Sequence, residues 1–416
     1  MEKSPRPDPS DPVRVLYLVY YGFEKTVIES QVITPASKLS GLGVAVHLLF
    51  LEDFTDWVLL RWRKKRRSLR GLPATFLPRI PRNFLYGNTL MTGLVIFATS
   101  LCRGRLVVHA RGFQGAESVL PIKKLCPAVR IICDARGIES EEYDLHVRFC
   151  RKRPPNPIET SWKRRLESVE RDAISRADAI FSVSRPMKDF FAKRDGIGSG
   201  EKWHYVPCAV DVSSFELALS RRDQMRETHG MRDRKVILYS GSLTSWQTPQ
   251  QLLKIIQAYR KIDASVFFLG LTTENLLLKR LLVEAGLKSE DFLITRTDLE
   301  GMANWLTCGD IGLLIREDNV VNRYACPTKF AEYLASGLHV LSTPAVLDVA
   351  RIIRDEKVGT IAEAIEPAES ELKESLRSAA GRGRIERSVA VARKYLDWSI
   401  YLPEIADCYR FLAKGD

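Results

Sequence analysis

A short segment, Pro327–Gly337 (PTKFAEYLASG), carries a cation and a carboxylate at a spacing that suits a bound nucleotide. Pro327 favours the first turn of a helix, where its missing N–H group costs nothing. A helix N-terminus binds phosphate because its N–H groups are unpaired and its dipole is positive there. Lys329 would lie in this first turn, which disfavours a cation unless an anion binds there, and Glu332 would follow on the same side. The Glu332 carboxylate could accept both hydroxyls of a ribose, so the segment predicts a nucleotide site; a solvated Lys–Glu pair on an amphipathic helix is the alternative.

Further candidates stand after predicted strands, where backbone and side chains can reach a ligand. His109 and Arg111 follow one strand and could contact sugar hydroxyls or a reacting centre, although a single histidine is more often structural. Gly22 follows the first strand, where a glycine either lets the backbone approach a diphosphate or forms a turn. Asp134 and Arg136 follow another strand, and we interpret them as an internal ion pair.

A basic, aromatic segment, Phe54–Arg70 (FTDWVLLRWRKKRRSLR), is typical of a surface that binds a membrane. Tryptophan beside many cations marks the interface of an anionic bilayer. Each cation contributes about 1 kcal/mol near an anionic leaflet, which supports reversible association rather than permanent anchoring. A solvated helix face is the alternative. The residues predicted to face the membrane are Trp57, Arg61, Trp62, Arg63, Lys64, Lys65, Arg66 and Arg67.

These candidates are positioned by a chain in which short apolar runs alternate with amphipathic stretches. Such runs, each followed by a helical pattern, predict buried parallel strands in βαβ units. The predicted strands are Val13–Tyr20, Val44–Leu51, Leu106–His109, Val129–Cys133, Ala179–Val183, Trp203–Val206, Lys235–Ser240, Val266–Leu269, Phe292–Thr295, Ile311–Ile315 and His339–Leu341. The pattern restarts after a polar stretch, so we predict two α/β, Rossmann-like domains over residues 1–211 and 212–394. The helical pattern in residues 395–416 has no strand beside it, and we expect this helix to return to the first domain.

Length and composition exclude several classes of protein. With 416 residues, 45% of them apolar, the chain suits two or three globular domains and is too apolar for a disordered protein. The longest apolar stretch, Leu90–Cys102, is shorter than the roughly 20 residues that span a bilayer, and it predicts a buried helix. The N-terminal residues are polar and proline-rich, unlike a secretory signal. Eight cysteines without a CxxC pair indicate reduced thiols and a cytoplasmic protein.

The sequence motifs of several enzyme classes are missing. No GxGxxG follows the first strand and no GxxxxGK[ST] is present, which disfavours a dinucleotide-dependent redox enzyme and a P-loop enzyme. GxSxG and HExxH are also missing. The net charge of +12 leaves nucleic acid, an anionic membrane and an anionic substrate as possible partners.

The segment PTKFAEYLASGLHVLSTP resembles the donor-binding segment of the retaining glycosyltransferases of family 4. Other segments resemble the same family in the same order, and together they extend from about Val13 to Leu412. They are IESQVITPASKLSGLGVAVHLL, VVHARG, ICDARG, ADAIFSVSRPMKDFF, HYVPCAVDVSSF, VILYSGSLTSWQTPQQLLK and YLDWSIYLPEIADCYRFL. The resemblance implies the GT-B fold, in which two Rossmann-like domains face a cleft and a C-terminal helix crosses back to the first domain.

The resemblance also implies roles for single residues. Glu332 resembles the second glutamate of the family's E-x7-E motif, which holds the ribose, and Lys329 resembles a contact to the diphosphate. Gly241 resembles the glycine of the phosphate loop. The candidate nucleotide-sugar-binding residues are Gly22, Gly241, Ser242, Arg323, Thr328, Lys329 and Glu332. The candidate catalytic residues are Lys329, His109 and Arg111, and no metal or other cofactor is expected.

Two features depart from the family's pattern. Tyr324 replaces the first glutamate of E-x7-E, which contacts the donor sugar. The phosphate loop carries Ser242 and Gln247 where the family usually has Arg and Lys. The leaving diphosphate therefore needs other cations. The candidates are Lys329, which we rank first, followed by Arg323 and Arg316.

From the resemblance we expect a retaining, metal-independent hexosyltransferase of the bacterial surface-polysaccharide type. It would move a sugar from a nucleotide-diphosphate sugar to a membrane-associated, lipid-linked saccharide acceptor, at the inner face of the cell membrane. No motif typical of nucleic-acid binding is present, so no nucleic acid is expected as a partner. One alternative is a catalytically weakened scaffold of an assembly complex, which Tyr324 favours. A sugar-nucleotide epimerase or a phosphorylase of the same architecture is the other.

Overall fold

The computed structural model describes residues 13–22, 27–80, 87–100, 106–197, 200–243, 249–296 and 299–414, so Gln247 lies outside the described residues. The chain divides into two compact units. Unit 1 comprises Met1–Pro207 and Ser399–Asp416, and unit 2 comprises Cys208–Trp398. The first unit boundary therefore falls after Pro207 and the second after Trp398. The sequence analysis predicts these boundaries after Asp211 and after Lys394.

Unit 1 is built on a parallel sheet, which in its described part has seven strands in the order β3-β2-β1-β4-β5-β6-β7. All neighbouring strands run parallel, as the βαβ pattern predicts. The strands are β1 Val13–Val19, β2 Val44–Glu52, β3 Ala74–Pro78, β4 Leu106–Arg111, β5 Arg130–Ala135, β6 Ala179–Ser182 and β7 Trp203–Tyr205.

The helices of unit 1 follow its strands along the chain. A π-helical turn at Glu29–Ile33 and a 3-10 turn at Arg66–Leu69 interrupt the α-helices. The α-helices are α1 Thr34–Ser40, α2 Phe54–Val58, α3 Trp62–Lys65, α4 Gly87–Ser100, α5 Phe113–Leu125, α6 Glu139–Arg151, α7 Pro157–Arg176 and α8 Arg185–Asp195.

Unit 2 repeats this plan with six parallel strands among its described residues, in the order β10-β9-β8-β11-β12-β13. The strands are β8 Lys235–Ser240, β9 Val266–Leu271, β10 Phe292–Thr295, β11 Ile311–Leu314, β12 His339–Ser342 and β13 Gly359–Ile361. The helices are α9 Val212–Leu219, α10 Arg222–Thr228, α11 Pro249–Ile262, α12 Asn275–Glu284, α13 Leu299–Leu306, α14 Val320–Arg323, α15 Thr328–Ala335, α16 Leu347–Glu356, α17 Glu369–Ala379 and α18 Arg384–Tyr395.

Apolar side chains cover both faces of the unit 2 sheet. Val236 and Leu238 of β8 pack into one apolar cluster, and Ile237 and Tyr239 pack into another. Alternate residues of a strand point to opposite faces, so a strand covered on both sides needs a continuous apolar run. The run in Lys235–Ser240 meets this need, and the prediction of two Rossmann-like α/β domains is confirmed.

Two strands, β3 and β13, were missed by the sequence analysis. Each lies at the edge of its sheet, and their residues are mostly only partly buried. An edge strand has one neighbouring strand and more solvent around it, so its sequence needs no long apolar run. The pattern that reveals the central strands is therefore absent from these two.

The order of the strands opens a crevice in unit 2 between β8 and β11. Crossovers from β8 lead to β9 on one side, whereas β11 and the later strands lie on the other side. At such a switch point the loops that leave the two strands diverge, and ligands of open α/β sheets bind there, outside the carboxyl ends. The loop after Ser240 and the loop after Leu314 border this crevice.

Of the apolar stretch at Leu90–Cys102, the described residues up to Ser100 lie in helix α4, and the prediction that this helix is buried is wrong. Leu90 and Leu94 are 65% and 58% exposed, whereas Thr92 and Ile96 are fully buried. The helix therefore buries only one stripe of its surface. Across the ranges that the structure describes, no helix is both long enough and apolar enough to cross a bilayer.

The C-terminal helix, α19 (Trp398–Lys414), joins unit 1, which confirms that it returns to the first domain. The hydroxyl of Tyr409 lies 2.6 Å from Nδ1 of His109 in β4. The Tyr409 ring is buried and packs edge-on against His109 and tilted against Phe181 of β6. A buried polar contact and aromatic packing thus attach the C-terminal helix to the sheet of unit 1.

Candidate functional site

Four candidate residues of unit 2 meet at the carboxyl edge of its sheet. Gly241 and Ser242 follow β8, Arg316 follows β11, and Lys329 lies in the first turn of α15. Pro327 precedes this helix as its N-cap, and Thr328 is its first residue. The structure therefore places a glycine loop, two cations and a helix N-terminus beside the crevice that the strand order creates.

Lys329 is held against the aromatic ring of Tyr239. Its Nζ lies 4.5 Å from the ring centroid and 3.5 Å from the hydroxyl oxygen. The same hydroxyl donates a hydrogen bond of 2.5 Å to the carbonyl of Ser242. An amino group over an aromatic face gains a cation–π attraction when it is protonated. Tyr239 thus positions both the lysine and the loop.

Lys329 occupies the space that a Cβ on residue 241 would fill, so this position requires glycine. A Cβ built on Gly241 would lie 2.7 Å from Nζ and 2.8 Å from Cε of Lys329. The backbone of Gly241 has a φ of 132°, which side-chain-bearing residues rarely adopt. Its N–H donates to the carbonyl of Leu271 at 2.9 Å. Glycine is therefore required twice, by the conformation and by the lysine.

Arg316 brings a second cation to the same place. Only 8% of its surface is exposed, and its backbone is clamped by Thr343, whose hydroxyl accepts from the Arg316 N–H at 3.0 Å and donates to the Arg316 carbonyl at 2.7 Å. Burial lowers the pKa of Arg316, and the Tyr239 hydroxyl acts against this shift.

The positive charge of Arg316 disfavours protonation of Lys329. Burial lowers the pKa of Lys329 well below its ordinary value, and the charge of Arg316 lowers it further, while Glu332 acts in the opposite direction. A bound anion would restore the protonated lysine, because negative charge favours the charged form of a neighbouring amine. The arrangement is therefore suited to an anion with at least two negative charges.

Glu332 lies one turn along α15, on the same side as Lys329. Burial raises the pKa of its carboxyl group to about 7; Lys329 opposes this shift and Cys208 adds to it. Within the described ranges, no hydrogen bond or ion pair engages the carboxylate. Both oxygens of an ionised carboxylate can accept hydrogen bonds from hydroxyl groups.

Arg323 and Tyr324 contribute less to the candidate site around Lys329 than the sequence suggests. The guanidinium of Arg323 is exposed and forms a two-point contact with Asp318, at 2.6 and 2.8 Å. Tyr324 caps the end of the short helix α14 and is partly buried. The structure therefore brings Arg316, and not Arg323, to Lys329.

His109 lies inside a strand of unit 1 and Arg111 is the last residue of that strand, so the prediction that both follow the strand is wrong. Strand β4 continues to Arg111, because its register with β1 pairs every residue up to that point. His109 is 4% exposed and stacks on Tyr17 with 4.1 Å between the ring centres. Burial lowers the pKa of its imidazole. The structure thus buries this histidine beneath α19.

Asp134 forms an internal ionic cluster, as predicted for the Asp134–Arg136 segment. Its carboxylate lies 3.4 Å from Arg136, 3.4 Å from Arg111 and 3.5 Å from Nε2 of His109. Burial acts to raise the pKa of Asp134, but Arg136, His109 and Arg111 outweigh it and hold the pKa well below its usual range. Arg111 is therefore engaged within unit 1.

Gly22 lies in a tight turn of unit 1 against a buried carboxylate. Its φ is 69°, and a Cβ there would lie 2.8 Å from Oε2 of Glu52. Glu52 accepts a 3.0 Å contact from Nζ of Lys65, whose side chain is only 13% exposed. Lys65 thus anchors the basic segment to the sheet, although the sequence analysis expects it to face outward.

The two tryptophans of the basic segment also turn inward. Trp57 donates a 3.0 Å hydrogen bond to the carbonyl of Phe76, and Trp62 stacks on the Phe76 ring at 5.4 Å. Arg61 pairs with Asp56 at 2.7 Å, and the side chain of Lys64 lies outside the described part of the chain. The surface of this segment is formed instead by the exposed apolar residues Phe54, Val58, Leu59 and Leu60 and by the exposed cations Arg61, Arg63, Arg66 and Arg67.

The sequence analysis missed Tyr239 and undervalued Arg316. Tyr239 was counted only as part of an apolar strand, although a tyrosine two residues before a loop glycine has a hydroxyl that can reach the loop. Arg316 stands directly after a predicted strand, which is the position where α/β proteins place ligand contacts. The placement of these two residues at the ends of predicted strands is the sequence feature that could have identified them as site residues.

Comparisons with known proteins show similarity in structure. No protein-family profile matches the chain, and no curated protein matches it in sequence. A glycosyltransferase from Rickettsia africae ESF-5 is similar with a TM-score of 0.68 and 14% identity, over 98% of this chain and 100% of that one. Anabaena HepE in complex with UDP-glucose is similar with a TM-score of 0.67 and 12% identity, over 95% and 98%.

A third similar structure is WaaG, a glycosyltransferase involved in lipopolysaccharide biosynthesis. It matches with a TM-score of 0.63 and 14% identity, over 95% of this chain and 99% of that one. The three structures match this chain over nearly its entire length, and the strand orders of both sheets are those of Rossmann-like domains. The chain therefore has the two-domain, Rossmann-like GT-B fold.

Proposed function

We propose that the protein is a retaining glycosyltransferase whose donor, a nucleotide-diphosphate sugar, binds at the carboxyl edge of the unit 2 sheet. The observation that carries the proposal is the contact of Lys329 with Tyr239 and Gly241 beside the buried Arg316. A diphosphate supplies the anion that this pair of cations needs. HepE, which has the same fold, is described in complex with UDP-glucose.

In this proposal each group has a distinct task. The diphosphate lies at the N-terminus of α15, where N–H groups and the helix dipole favour negative charge. Lys329 and Arg316 neutralise the charge that develops as the sugar–phosphate bond breaks, so the proposal requires no metal ion. Glu332 accepts the ribose hydroxyls, whose donated hydrogen bonds stabilise the ionised carboxylate. Thr328, Ser242 and Gly241 line the same edge.

The transfer proposed is a front-side substitution. The acceptor hydroxyl oxygen forms a bond to the anomeric carbon on the side from which the diphosphate leaves, so the configuration is retained. The hydroxyl proton passes to the leaving phosphate oxygen, and the electron pair of the broken bond stays with that oxygen. No side chain then acts as the base. Catalysis consists of holding the donor and stabilising the departing charge.

We further propose a hexose donor and a membrane-associated, lipid-linked saccharide acceptor, in polysaccharide or glycan biosynthesis. The support is the surface of segment 54–70, where exposed apolar side chains lie beside exposed arginines. Apolar and basic residues on one surface favour the interface of an anionic bilayer. WaaG, with the same fold, is described as involved in lipopolysaccharide biosynthesis. Peripheral association with the inner face of the cell membrane follows from this proposal.

A nucleotide screen by thermal shift tests the donor site. UDP, GDP, ADP, CDP and dTDP would each be measured with and without Mg²⁺, on the wild type and on Glu332→Ala. We expect one base to raise the melting temperature, equally with and without Mg²⁺, and the Glu332→Ala variant to lose most of the shift. Glu284→Ala, which removes an exposed carboxylate of α12, is the matched control. A shift that requires Mg²⁺ would contradict the metal-independent mechanism.

A second candidate function is a scaffold that has lost transferase activity. Tyr324 favours it, because the family that the sequence resembles has a sugar-contacting glutamate at this position. In that case no nucleotide would raise the melting temperature in the screen. Nucleotide binding without hydrolysis or transfer from any sugar nucleotide would also favour the scaffold.

A further inference from the structure

A basic cavity lies in unit 2 on the edge of the sheet opposite to the proposed donor site. It has a volume of about 560 Å³. Its lining includes His339, the first residue of β12, and Lys357 to Gly359, which lead into β13. In a parallel sheet the amino ends of all strands share one edge, so this cavity is separated from Gly241 and Lys329 by the length of the strands.

Cations from different elements surround the cavity. Lys357 ends α16, Arg382 lies in the turn before α18, and Arg387 lies in the first turns of α18. All three side chains are exposed, and none forms an ion pair among the residues that the structure describes. Arg354 also lines the cavity and contacts Glu363 at 3.8 Å.

The acidic groups nearby do not balance this charge. Glu374 is the one carboxylate among the lining residues, and its two oxygens are engaged by Ser378 at 2.8 Å and Arg377 at 3.2 Å. Arg384 lies at the inner end of the cavity and is tied to Asp310, whose carbonyl accepts at 2.6 Å and whose carboxylate lies at 3.2 Å. Lys357, Arg382 and Arg387 therefore remain as cations that a ligand can approach.

The floor of the cavity is polar and largely buried. Nε2 of His339 lies 2.8 Å from the hydroxyl of Thr360, and the buried hydroxyl of Ser388 donates to the carbonyl of Leu338 at 3.0 Å. Burial and the charges of Arg384 and Arg387 lower the pKa of His339 to about 4. The positive field of the arginines thus reaches the floor, where the imidazole stays neutral.

We propose that this cavity binds a small phosphorylated molecule, whose phosphate monoester is held by Lys357, Arg382 and Arg387. Phosphate accepts several charge-assisted hydrogen bonds at once, and arginine is the side chain best suited to it. The volume accommodates a body the size of a sugar, and the polar floor suits its hydroxyl groups. The site does not depend on the proposed donor chemistry, because none of its residues belongs to the donor site.

Isothermal titration calorimetry on the full chain tests the site with glucose 6-phosphate, inorganic phosphate and glucose. We expect glucose 6-phosphate to bind, inorganic phosphate to bind more weakly and glucose not to bind. Arg382→Gln/Arg387→Gln should weaken glucose 6-phosphate binding at least tenfold without lowering the melting temperature, since both side chains are exposed. Lys329→Ala, in the donor site, should leave the affinity for glucose 6-phosphate unchanged.

The matched control removes two exposed arginines elsewhere in unit 2. Arg232→Gln/Arg280→Gln loses the same charge, and both residues lie in surface ion pairs. Equal weakening by the two double variants would overturn the proposal, because it would show a general charge effect. Binding of glucose as strongly as of glucose 6-phosphate would also overturn it.

A membrane phosphate is the other source of the same chemistry, and vesicles distinguish it. Phosphatidylcholine vesicles with and without phosphatidic acid would be sedimented with both double variants and their parent, all carrying Arg66→Gln/Arg67→Gln to remove anionic-vesicle binding by segment 54–70. Loss of phosphatidic acid binding in Arg382→Gln/Arg387→Gln alone, with no binding of soluble phosphates, would support the site and assign its ligand to a headgroup. Failure of every phosphate probe to bind would overturn the proposal.

Discussion

Nζ of Lys329 lies 4.5 Å from the centre of the Tyr239 ring and 2.7 Å from the point where a Cβ on Gly241 would stand. The two side chains are ninety residues apart in the sequence. Burial and Arg316 make this place unfavourable for a protonated lysine. A bound anion would favour the protonated lysine at this place.

Lys329→Ala should abolish most of the transferase activity while preserving the fold. The lysine stabilises the leaving diphosphate only when donor is bound, and removing one such group costs about 3 kcal/mol, or about a hundredfold in kcat. The melting temperature without ligand should be unchanged or higher, because a partly buried amine is removed. Lys279→Ala, at an exposed position of α12, is the control, and wild-type turnover in Lys329→Ala would refute the assignment.

Gly241→Ala should destroy nucleotide binding, and Gly230→Ala should not. Both glycines have a positive φ, 67° at Gly230 and 132° at Gly241, and alanine strains such a backbone by about 1–3 kcal/mol, more at Gly241, which lies outside the left-handed helical region. Only at Gly241 does the new Cβ displace Lys329, whereas at Gly230 no atom lies within 4 Å. Thermal denaturation should therefore show a loss of stability for both variants, larger for Gly241→Ala, while calorimetry below both melting temperatures shows lost nucleoside diphosphate binding for Gly241→Ala alone. Equal affinity in the two variants would contradict the role of Lys329.

Glu332→Gln should change how stability depends on pH. The pKa of Glu332 is raised from 4.5 to about 7 in the folded chain, so the folded state holds this proton more tightly than the unfolded state. Its contribution to stability is therefore present below pH 4.5 and is lost as the pH rises to 7. Glu332→Gln avoids this loss, and its stability advantage over the wild type should grow between pH 5 and 7, by about 1–3 kcal/mol, and then level off.

Thermal denaturation from pH 5 to 8 measures this difference. Glu284→Gln, which removes a carboxylate that is 62% exposed, should show no such trend. Nucleotide binding supplies a second readout, because ribose hydroxyls that donate to the carboxylate favour its ionised form. A difference between wild type and Glu332→Gln that stays constant with pH would show that this carboxyl group has an ordinary pKa.

Arg316→Gln should weaken binding of a nucleoside diphosphate, and Arg323→Gln should not. Arg316 is buried beside Lys329, whereas Arg323 is exposed and paired with Asp318. Loss of a hydrogen bond to a charged group costs about 1.5–3 kcal/mol, which corresponds to a tenfold to hundredfold rise in Kd. The nucleoside alone should bind Arg316→Gln and the wild type equally, and Arg316→Lys should restore part of the affinity. An equal loss in Arg323→Gln would show that charge in general, and not this position, matters.

The exposed surface of segment 54–70 should bind anionic vesicles. Each exposed arginine contributes about 1 kcal/mol near such a membrane, so Arg66→Gln/Arg67→Gln should lower the partition coefficient at least tenfold. Val58→Ser/Leu59→Ser should also lower it, because these exposed side chains would enter the interface. Leu276→Ser/Leu277→Ser, at exposed positions of α12, and Arg232→Gln/Arg280→Gln are the controls. Vesicle binding that survives both segment variants would place the membrane contact elsewhere.

Much of the fold is predictable from the sequence because its signals are local. A strand buried on both faces needs an unbroken apolar run, and the central strand β8 begins and ends where its run does. The helix that starts after Pro327 is equally local, since proline and the apolar periodicity of α15 act within a few residues. The edge strands β3 and β13 lack this signal because only part of their surface is buried.

The site depends on contacts between distant segments, which periodicity cannot predict. The sequence determined that Lys329 and Glu332 share one side of a helix, because their spacing matches the helical repeat. Only the tertiary structure decided that Arg316 joins them while Arg323 pairs with Asp318, and that His109 is buried under Tyr409. The physical reason is that backbone preferences act over a few residues, whereas burial and electrostatics depend on which segments the packed sheets bring together.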